Sequence, residues 1–280
     1  MKIILHGGFF SESATNQETK IAKQNALEQI VKNAYEFLKN HSALETVVFA
    51  VTQLEDNELF NAGIGSQIQS DGKIRMSAAL MDGDSQKMSG VINIEEVKNP
   101  IQVAEILMKE DDRVLGGSGA TNYARKNGFE VFSTKIPQRK AEYEAKLKSL
   151  GIGTVGCVAL DKNGKLAVAT STGGKGFELV GRISDSATVA GNYANGHCAV
   201  SLTGVGEDIV SNATAAKIVT RVTDGFTLKE AFSKTFSELL PYDGFAGAIG
   251  IDNNGNIFHQ DSHPMMVFAS FDGKNLEVFD

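Results

Sequence analysis

The stretch Gly151-Ile-Gly-Thr-Val-Gly-Cys-Val-Ala-Leu-Asp161 separates two kinds of sequence and guides the interpretation of the whole chain. A charged segment, residues 138–150, comes before it, and a strongly apolar strand follows its Thr154. A linker that leads directly into a buried strand is unusual for folding but typical of proteolytic processing. Glycine permits the strained backbone that a self-cleaving bond needs. The stretch therefore predicts cleavage between Gly153 and Thr154, and the alternative is a strand entered through a flexible glycine turn.

Cleavage there would give Thr154 both a hydroxyl group and a free α-amine. The unperturbed pKa of an α-amine is about 7.7–8.0, so this amine can accept the hydroxyl proton near neutral pH. A hydroxyl with an adjacent base is an activated nucleophile. The sequence therefore predicts that Thr154 attacks a carbonyl carbon.

The composition of the 280 residues excludes several classes of protein. The net charge is −7 and no basic block is present, which argues against a nucleic-acid partner. The two cysteines, Cys157 and Cys198, lie in apolar runs and make no disulfide framework. The apolar run at the start is too short for a signal peptide, and no stretch approaches the ~18 apolar residues that span a bilayer. We therefore expect a cytoplasmic protein without a membrane partner.

Secondary-structure patterns differ between the two halves of the chain. Apolar residues recur at helical spacing over about 16–40, and Ser42 with Glu45 forms a capping box for a helix over about 43–56. In the second half, Asn163-Gly164 predicts a type I′ turn between two strands. The other predicted strands cover 2–5, 73–81, 88–94, 156–160, 165–170, 246–251, 256–260 and a pair around Asp272-Gly273, and the other helices start near Pro100 or cover 207–222 and 227–240.

This order of elements predicts an α+β sandwich in which helices cover both faces of two stacked sheets. We expect a single domain, residues 1–280, because the only candidate boundary is the linker-like segment at about 134–153.

Three segments after Thr154 carry candidate site residues. The first hairpin ends in hydroxyl residues and folds back, which predicts that Thr172 lies close to Thr154. Arg182 can bind a carboxylate bidentately and Asp185 can accept from an ammonium, although a surface ion pair is the alternative. The segment from Thr203 ends a strand and opens a helix, whose N–H groups can bind an oxyanion or a carboxylate. Together these groups predict a site for an α-amino acid.

Four motifs in this order resemble the plant-type L-asparaginase/isoaspartyl peptidase family of N-terminal nucleophile hydrolases. They are Gly-Thr-Val-Gly-x-Val-Ala-Leu-Asp from Gly153, Ala-Thr-Ser-Thr-Gly-Gly from Ala169, Gly-Arg-x-x-Asp-Ser from Gly181 and Thr-Gly-x-Gly-Glu from Thr203. The first half agrees through His6-Gly-Gly, Leu59-Phe-Asn-Ala-Gly-Ile-Gly, Leu80-Met-Asp-Gly and Val97-Lys-Asn-Pro. The resemblance covers nearly the whole chain.

The resemblance implies a four-layer αββα sandwich that is made as a precursor and cuts itself before Thr154. Residues 1–153 would form the α subunit and residues 154–280 the β subunit, and two processed protomers would assemble as (αβ)₂. The implied reaction is hydrolysis of L-asparagine or of β-aspartyl dipeptides through a threonyl ester. It requires no catalytic cofactor.

The resemblance also implies a role for each matching residue. Thr154 is the nucleophile and Thr172 supports its hydroxyl, while Thr203 and Gly204 form the oxyanion hole. The residues implied in substrate binding are Arg182, Ile183, Ser184, Asp185, Val205, Gly206 and Asn61. A structural sodium ion is implied at the backbone carbonyls of Leu54, Glu55, Asn57, Phe60, Ala62 and Ile64.

The chain departs from the family pattern at three places: Phe9-Phe10, Ser77 and the segment from His259 to Met266. These departures bear on substrate choice. They leave open a glycosylasparaginase-like hydrolase or a degenerate, non-enzymatic amino-acid-binding relative.

The histidines allow further predictions. His259, Asp261 and His263 alternate, so on a strand all three side chains would lie on one face and could bind a metal ion. An exposed polar strand face is the commoner alternative. We expect His6 and His197 to be packed residues near loops.

Overall fold

The computed structural model describes residues 1–9, 17–145, 153–263 and 265–280. Its strands are β1 (Lys2–Phe9), β2 (Met76–Asp82), β3 (Lys87–Ile94), β4 (Val114–Gly116), β5 (Val155–Leu160), β6 (Leu166–Thr172), β7 (Asn192–Ala194), β8 (Cys198–Gly204), β9 (Ala246–Asp252), β10 (Ile257–Asp261), β11 (Met266–Phe271) and β12 (Leu276–Val278). Its helices are α1 (Gln17–Leu38), α2 (Ala43–Glu55), α3 (Pro100–Leu107), α4 (Gly117–Lys126), α5 (Pro137–Glu144), α6 (Gly206–Asn212), α7 (Thr214–Thr223) and α8 (Leu228–Ser237).

The strands form two sheets, and the prediction of an α+β fold is confirmed. The large sheet has the order β12-β11-β1-β5-β6-β2-β3-β4, and the small sheet has the order β10-β9-β8-β7. Helices α1, α2 and α3 contact the large sheet, whereas α7 and α8 contact the small one. The two sheets meet where β1, β5 and β6 contact β8 and β9. Strand β5, which follows Thr154, therefore lies in the middle of the large sheet.

Local signals predicted several elements correctly. Ser42 caps α2, with its hydroxyl accepting from Glu45 N and the Glu45 carboxylate accepting from Ser42 N, so the capping box is confirmed. Pro100 occupies the first turn of α3, where its missing N–H costs nothing. Helix α1 and the hairpins β5–β6, β9–β10 and β11–β12 lie where the patterns predict them.

The predicted type I′ turn at Asn163-Gly164 is wrong. Gly164 has a φ of +76°, but Asn163 keeps a negative φ, whereas a type I′ turn needs both central residues positive. The carboxylate of Asp161 explains the difference, because its Oδ1 accepts from Asn163 N at 2.8 Å and from Lys165 N at 3.0 Å. A side chain thus organises this turn.

Other predictions need correction. Strand β1 continues through its glycines to Phe9, and β2 begins only at Met76, so the strands over 2–5 and 73–81 were misplaced at one end. Ala213 adopts a φ of +51°, and this left-handed residue divides the predicted helix over 207–222 into α6 and α7.

The linker-like segment contains α5, an eight-residue helix with no buried residue. The charged residues of 137–144 therefore belong to a solvated helix, while residues 146–152 of the segment lie outside the described residues. Across the described residues, no helix combines the length and apolar character that crossing a bilayer requires.

Candidate active site

Thr154 lies immediately before β5 and is buried. Its hydroxyl donates to Thr172 Oγ1 at 3.2 Å, and Thr172 also accepts from Gly174 N at 3.2 Å. The pairing of Val155 with Ser171 across β5 and β6 brings the two threonines together. The predicted proximity of Thr172 to Thr154 is therefore confirmed.

The two threonines open into a pocket that the other predicted segments also line. Its lining residues are Thr154, Thr172, Gly174, Lys175, Arg182, Ser184, Asp185, Gly204, Val205 and Gly206. Three candidate residues stand outside this lining. Ile183 is exposed to solvent, Thr203 is fully buried, and Asn61 is buried against Gly153. The pocket thus joins a hydroxyl pair to a cationic and an anionic side chain.

The ion pair in this pocket differs from the one that the sequence offered as an alternative. Arg182 donates through Nε and Nη2 to the two carboxylate oxygens of Glu207, at 2.8 and 3.1 Å, rather than to Asp185. Lys175 donates to the same carboxylate at 2.9 Å. The hydrogen bond from Arg182 holds the pKa of Glu207 well below its usual range. Glu207 is therefore a site residue whose role the sequence did not reveal.

Asp185 is buried beside the pocket. Its Oδ1 accepts from the Ser184 hydroxyl at 3.2 Å, and its Oδ2 has no hydrogen-bond partner among the described residues. Burial raises the pKa of this carboxyl to about 6, although the charge of Arg182 opposes the shift. The Asp185 carboxylate lines the pocket, so it can accept a hydrogen bond from a cation that enters there.

Glycine is required where the pocket meets α6. A Cβ atom on Gly206 would lie 2.7 Å from both Arg182 Nη2 and Asp185 Oδ1, so only glycine leaves these two groups accessible. Gly204 has a φ of +139°, and a Cβ atom there would lie 2.4 Å from the carbonyl oxygen of Phe245. Beside it, Thr203 Oγ1 is buried without a partner among the described residues. Thr203 therefore keeps a hydroxyl for a further hydrogen bond.

Asn61 lies against the predicted cleavage site. A Cβ atom on Gly153 would lie 2.6 Å from Asn61 Cβ. The Asn61 amide donates to the carbonyl oxygen of Gly174 at 2.5 Å and accepts from Gln67 N at 3.0 Å. These bonds join the first half of the chain to the loop that follows Thr172.

The family model described as Asparaginase matches residues 1–149 and 132–279. The chain belongs to the asparaginase family. An isoaspartyl peptidase/L-asparaginase of Synechocystis sp. is 43% identical over 97% of this chain and 88% of its own length. The isoaspartyl peptidase of Escherichia coli is 36% identical over 91% of this chain and 88% of its own length. A plant-type L-asparaginase of Pyrococcus furiosus is 34% identical over 95% of each chain.

His6 of this asparaginase-family chain has contacts that the sequence analysis missed. It is fully buried in β1, so the prediction that it is packed is confirmed, and its Nδ1 lies 3.0 Å from the carbonyl oxygen of Thr154, just outside β5, with Nε2 2.9 Å from Ser201 Oγ. Burial lowers its pKa to about 3, so the ring is neutral at ordinary pH. The His6-Gly-Gly motif was the one available signal, and it does not identify the partners.

The predicted sodium loop surrounds two glycines. A Cβ atom on Gly63 would lie 2.2 Å from the carbonyl oxygen of Glu55, and one on Gly65 would lie 1.9 Å from that of Phe60. Carbonyl oxygens therefore face the turn, and they are the ligands that a hard cation takes.

The side chain of Glu55 contacts β6, whereas its carbonyl oxygen faces the predicted sodium loop. It is fully buried and accepts from the Ser171 hydroxyl at 2.6 Å, and burial raises its pKa to about 8. This carboxyl lies beside the β6 residue that precedes Thr172, so it supports the loop and the strand together.

The alternative of a metal site at the third departure is contradicted. His259 Nε2 lies 3.5 Å from Glu277, His263 Nε2 lies 3.6 Å from Asp243, and Asp261 accepts from Met266 N. His263 lies beyond the end of β10 at Asp261, so it does not continue the alternation of the strand. Within the described residues, no three His, Cys, Asp or Glu side chains could hold a metal together.

Two further expectations can be compared with the structure. His197 is exposed in the turn between β7 and β8, so the prediction that it is packed is wrong. Phe9 contacts the Phe245 ring at a centroid distance of 4.6 Å, and His263 stacks on Phe245 at 4.5 Å. Two of the departures from the family pattern thus form one aromatic cluster.

Proposed function

We propose that this chain hydrolyses the side-chain amide of L-asparagine and the β-linkage of isoaspartyl dipeptides, and that it first cuts itself before Thr154. The observation that carries this proposal is the Thr154–Thr172 hydroxyl pair at 3.2 Å, which opens into a pocket with Arg182 and Asp185. The names of the relatives, isoaspartyl peptidase and L-asparaginase, support the same two substrates.

Self-cleavage uses the close packing at the junction. The hydroxyl oxygen of Thr154 attacks the carbonyl carbon of Gly153, and the peptide C–N bond breaks as the nitrogen takes a proton. Water then hydrolyses the resulting ester to the Gly153 carboxylate, which leaves Thr154 with a free α-amine. Asn61 packs against Gly153 and restricts its position.

In turnover, the α-amine of Thr154 takes the hydroxyl proton as the oxygen attacks the substrate amide. The oxyanion forms beside the buried Thr203 hydroxyl and Gly204, and losing one such donor costs about 10²–10³ in kcat. The amide C–N bond breaks, and ammonia or the peptide amine leaves with the proton. Water then attacks the aspartyl ester and releases L-aspartate.

The charged ends of the substrate have complementary partners in the pocket. Arg182 binds the α-carboxylate, because a guanidinium presents planar donors, and Glu207 keeps it oriented. Asp185 accepts from the α-ammonium through its carboxylate, whose Oδ1 lies beside Gly206 in the pocket lining. Ser184, Val205 and Gly206 line the same pocket, whereas Ile183 is exposed and does not line it.

We also propose the finer features of architecture that the family implies. The contacts of helices on the outer faces of two touching sheets support a four-layer αββα sandwich. Residues 1–153 and 154–280 are then two subunits. Exposed apolar side chains at Leu179, Val180 and Ile183 support assembly of two processed protomers as (αβ)₂. Two buried free cysteines favour a reducing, cytoplasmic compartment.

The carbonyl oxygens of the loop fit a sodium ion, as they fit hard cations in general. The carbonyl oxygens of Leu54, Glu55, Asn57, Phe60, Ala62 and Ile64 would hold it. The ion would supply rigidity to the segment that carries Asn61, with no part in bond breaking.

Denaturing gel electrophoresis of the purified protein tests the first step. Two fragments that divide before Thr154 support the proposal, and a chain that stays intact over days contradicts it. Release of ammonia from L-asparagine and of amine from β-aspartyl dipeptides tests the second step. Turnover of N-glycosylated asparagine in place of both would favour a glycosylasparaginase-like enzyme, and binding of L-aspartate without turnover would favour a non-enzymatic relative.

A further inference from the structure

The backbone of Thr154 lies beyond the regular pairing of the sheet. The pairs between β5 and β1 end at Gly156 with His6, and the pairs between β5 and β6 end at Val155 with Ser171. Chain ends fray unless other contacts restrain them. Cleavage before Thr154 would remove its preceding residue as well. The position of Thr154 must therefore be restrained by contacts other than the strand pairing of β5 with β1 and β6.

His6 supplies such a restraint, and its proton positions follow from the partners. A carbonyl oxygen only accepts hydrogen bonds, so the 3.0 Å contact with Thr154 requires a proton on His6 Nδ1. The ring is fully buried and neutral, so it carries one proton and Nε2 is an acceptor. Ser201 must then donate to Nε2, at 2.9 Å.

The hydroxyl of Ser201 has a single hydrogen, which the bond to His6 uses. Its second contact, with Thr170 Oγ1 at 2.7 Å, must therefore be one in which Thr170 donates. The four residues form a chain of hydrogen bonds that runs in one direction, from Thr170 through Ser201 and His6 to the carbonyl of Thr154. Gly156 makes room for it, because a Cβ atom there would lie 2.0 Å from Ser201 Oγ and 2.4 Å from His6 Nε2.

We infer that His6 is a positioning residue for the nucleophile: Ser201 and Thr170 fix its tautomer, and its Nδ1–H holds the carbonyl of Thr154. This inference rests on the proposed function, because it assigns His6 a part in that reaction. His6 touches neither the substrate nor the reacting atoms. Its effect is to keep the Thr154 hydroxyl at a constant place relative to Thr172 and the pocket.

The tautomer can be measured without any turnover. In protein labelled with ¹⁵N-histidine, the signals that disappear in His6→Asn and His6→Gln belong to His6. At neutral pH we expect the Nδ1 resonance in the protonated range and the Nε2 resonance in the unprotonated range. A proton on Nε2, or on both nitrogens, would overturn the inference. This measurement decides the question even where a variant folds poorly, because only the assignment depends on the variants.

Two variants of similar size separate the two contacts. In His6→Asn the amide nitrogen stands near the place of Nδ1 and can donate to Thr154, whereas in His6→Gln the longer amide reaches toward Ser201. A misplaced reacting group can cost about 10²-fold, so we expect kcat of His6→Gln to fall about 10²-fold with KM changed about threefold at most. The kcat of His6→Asn should be about tenfold higher than the kcat of His6→Gln. Equal losses in the two variants, or an unchanged kcat in His6→Gln, would contradict the inference.

A matched pair of serines controls for the loss of a buried hydroxyl. Ser201→Ala removes the donor that sets the tautomer, and Ser89→Ala removes a buried hydroxyl that donates to Ala104 O at 2.6 Å in another part of the fold. We expect both to lower the free energy of unfolding, because each leaves a buried partner without its hydrogen bond, but only Ser201→Ala to lower kcat. Equal kcat values in the two variants would refute the inference. If the unaltered protein hydrolyses neither substrate, the proposed function fails, and the tautomer measurement still tests the hydrogen-bond chain.

Discussion

Arg182 donates two hydrogen bonds to Glu207, at 2.8 and 3.1 Å, so its guanidinium is oriented before any substrate arrives. The same carboxylate accepts from Lys175, so Glu207 lies between two cations at the pocket edge. Orientation by a neighbouring carboxylate reduces the freedom that Arg182 would lose when it binds a substrate carboxylate. If Arg182 binds the substrate carboxylate as proposed, we expect Glu207 to affect substrate affinity rather than the chemical step.

Glu207→Gln should raise KM about 3- to 10-fold with a much smaller effect on kcat, because charge-assisted bonds to Arg182 are replaced by weaker ones. Steady-state kinetics with L-asparagine or a β-aspartyl dipeptide measures both constants. Glu238→Gln is the matched control, since Glu238 also accepts from an arginine and a lysine, Arg221 and Lys217, outside the pocket. An equal rise of KM in both variants would assign the effect to general loss of structure.

Thr154→Ala should abolish both self-cleavage and turnover, because it removes the oxygen that attacks in each step. Thr154→Ser keeps a hydroxyl and should retain cleavage, which makes it the matched control. Gel electrophoresis after prolonged incubation and an ammonia assay measure the two outcomes. A cut Thr154→Ala chain, or one that still releases ammonia, would assign the nucleophile to another residue.

Asp185 should make the binding of L-aspartate depend on pH. Its pKa is raised to about 6, so the carboxyl gains a proton as the pH falls through that value and loses its attraction for the ligand ammonium. The inhibition constant of L-aspartate should therefore rise up to about tenfold for each pH unit below about 6. Inhibition measured between about pH 5 and pH 7 tests this. In Asp185→Asn we expect weak and nearly level inhibition, and a level constant in the unaltered protein would contradict the assignment.

Gly156→Ala should destabilise the fold by about 1–3 kcal/mol, because its Cβ atom would overlap Ser201 and His6. Gly119 is a matched control, since it lies in α4 with nothing within 4 Å of an added Cβ atom. Gly119→Ala should instead stabilise the fold by about 0.5–1 kcal/mol, as alanine does in an exposed helix. Chemical unfolding in a Thr154→Ala background keeps every sample as one chain. Equal effects at both positions would show that the Gly156 contacts do not matter.

Sequence patterns predicted what depends on neighbours in the chain. The capping box at Ser42 and the proximity of the β6 hydroxyls to Thr154 follow from residue spacing alone. Both depend only on residues within one helix turn or one hairpin. Contacts between residues far apart in the chain produce no recognisable pattern in the sequence. His6 meets Thr154 across 148 residues and Ser201 across 195, so its role could not be read from either neighbourhood.

The sequence also did not predict which side chains pair with each other. The sequence supplied the residue types at Arg182 and Asp185 correctly, but the guanidinium pairs with Glu207, which comes from the start of α6. Composition also misled at α5, where charged residues form a solvated helix rather than an irregular linker. Side-chain partners depend on how loops fold in three dimensions, which spacing does not specify.

The strand order has a kinetic consequence. Strand β1 lies between β11 and β5, so the segments before and after Thr154 alternate in the large sheet. In an intact chain they are tethered, and refolding is a first-order process whose rate is independent of protein concentration. Once the chain is cut, two separate molecules must meet before this sheet can form, so refolding becomes second order. A cut molecule would then persist mainly because it unfolds slowly, and dilution after unfolding would make its loss effectively permanent.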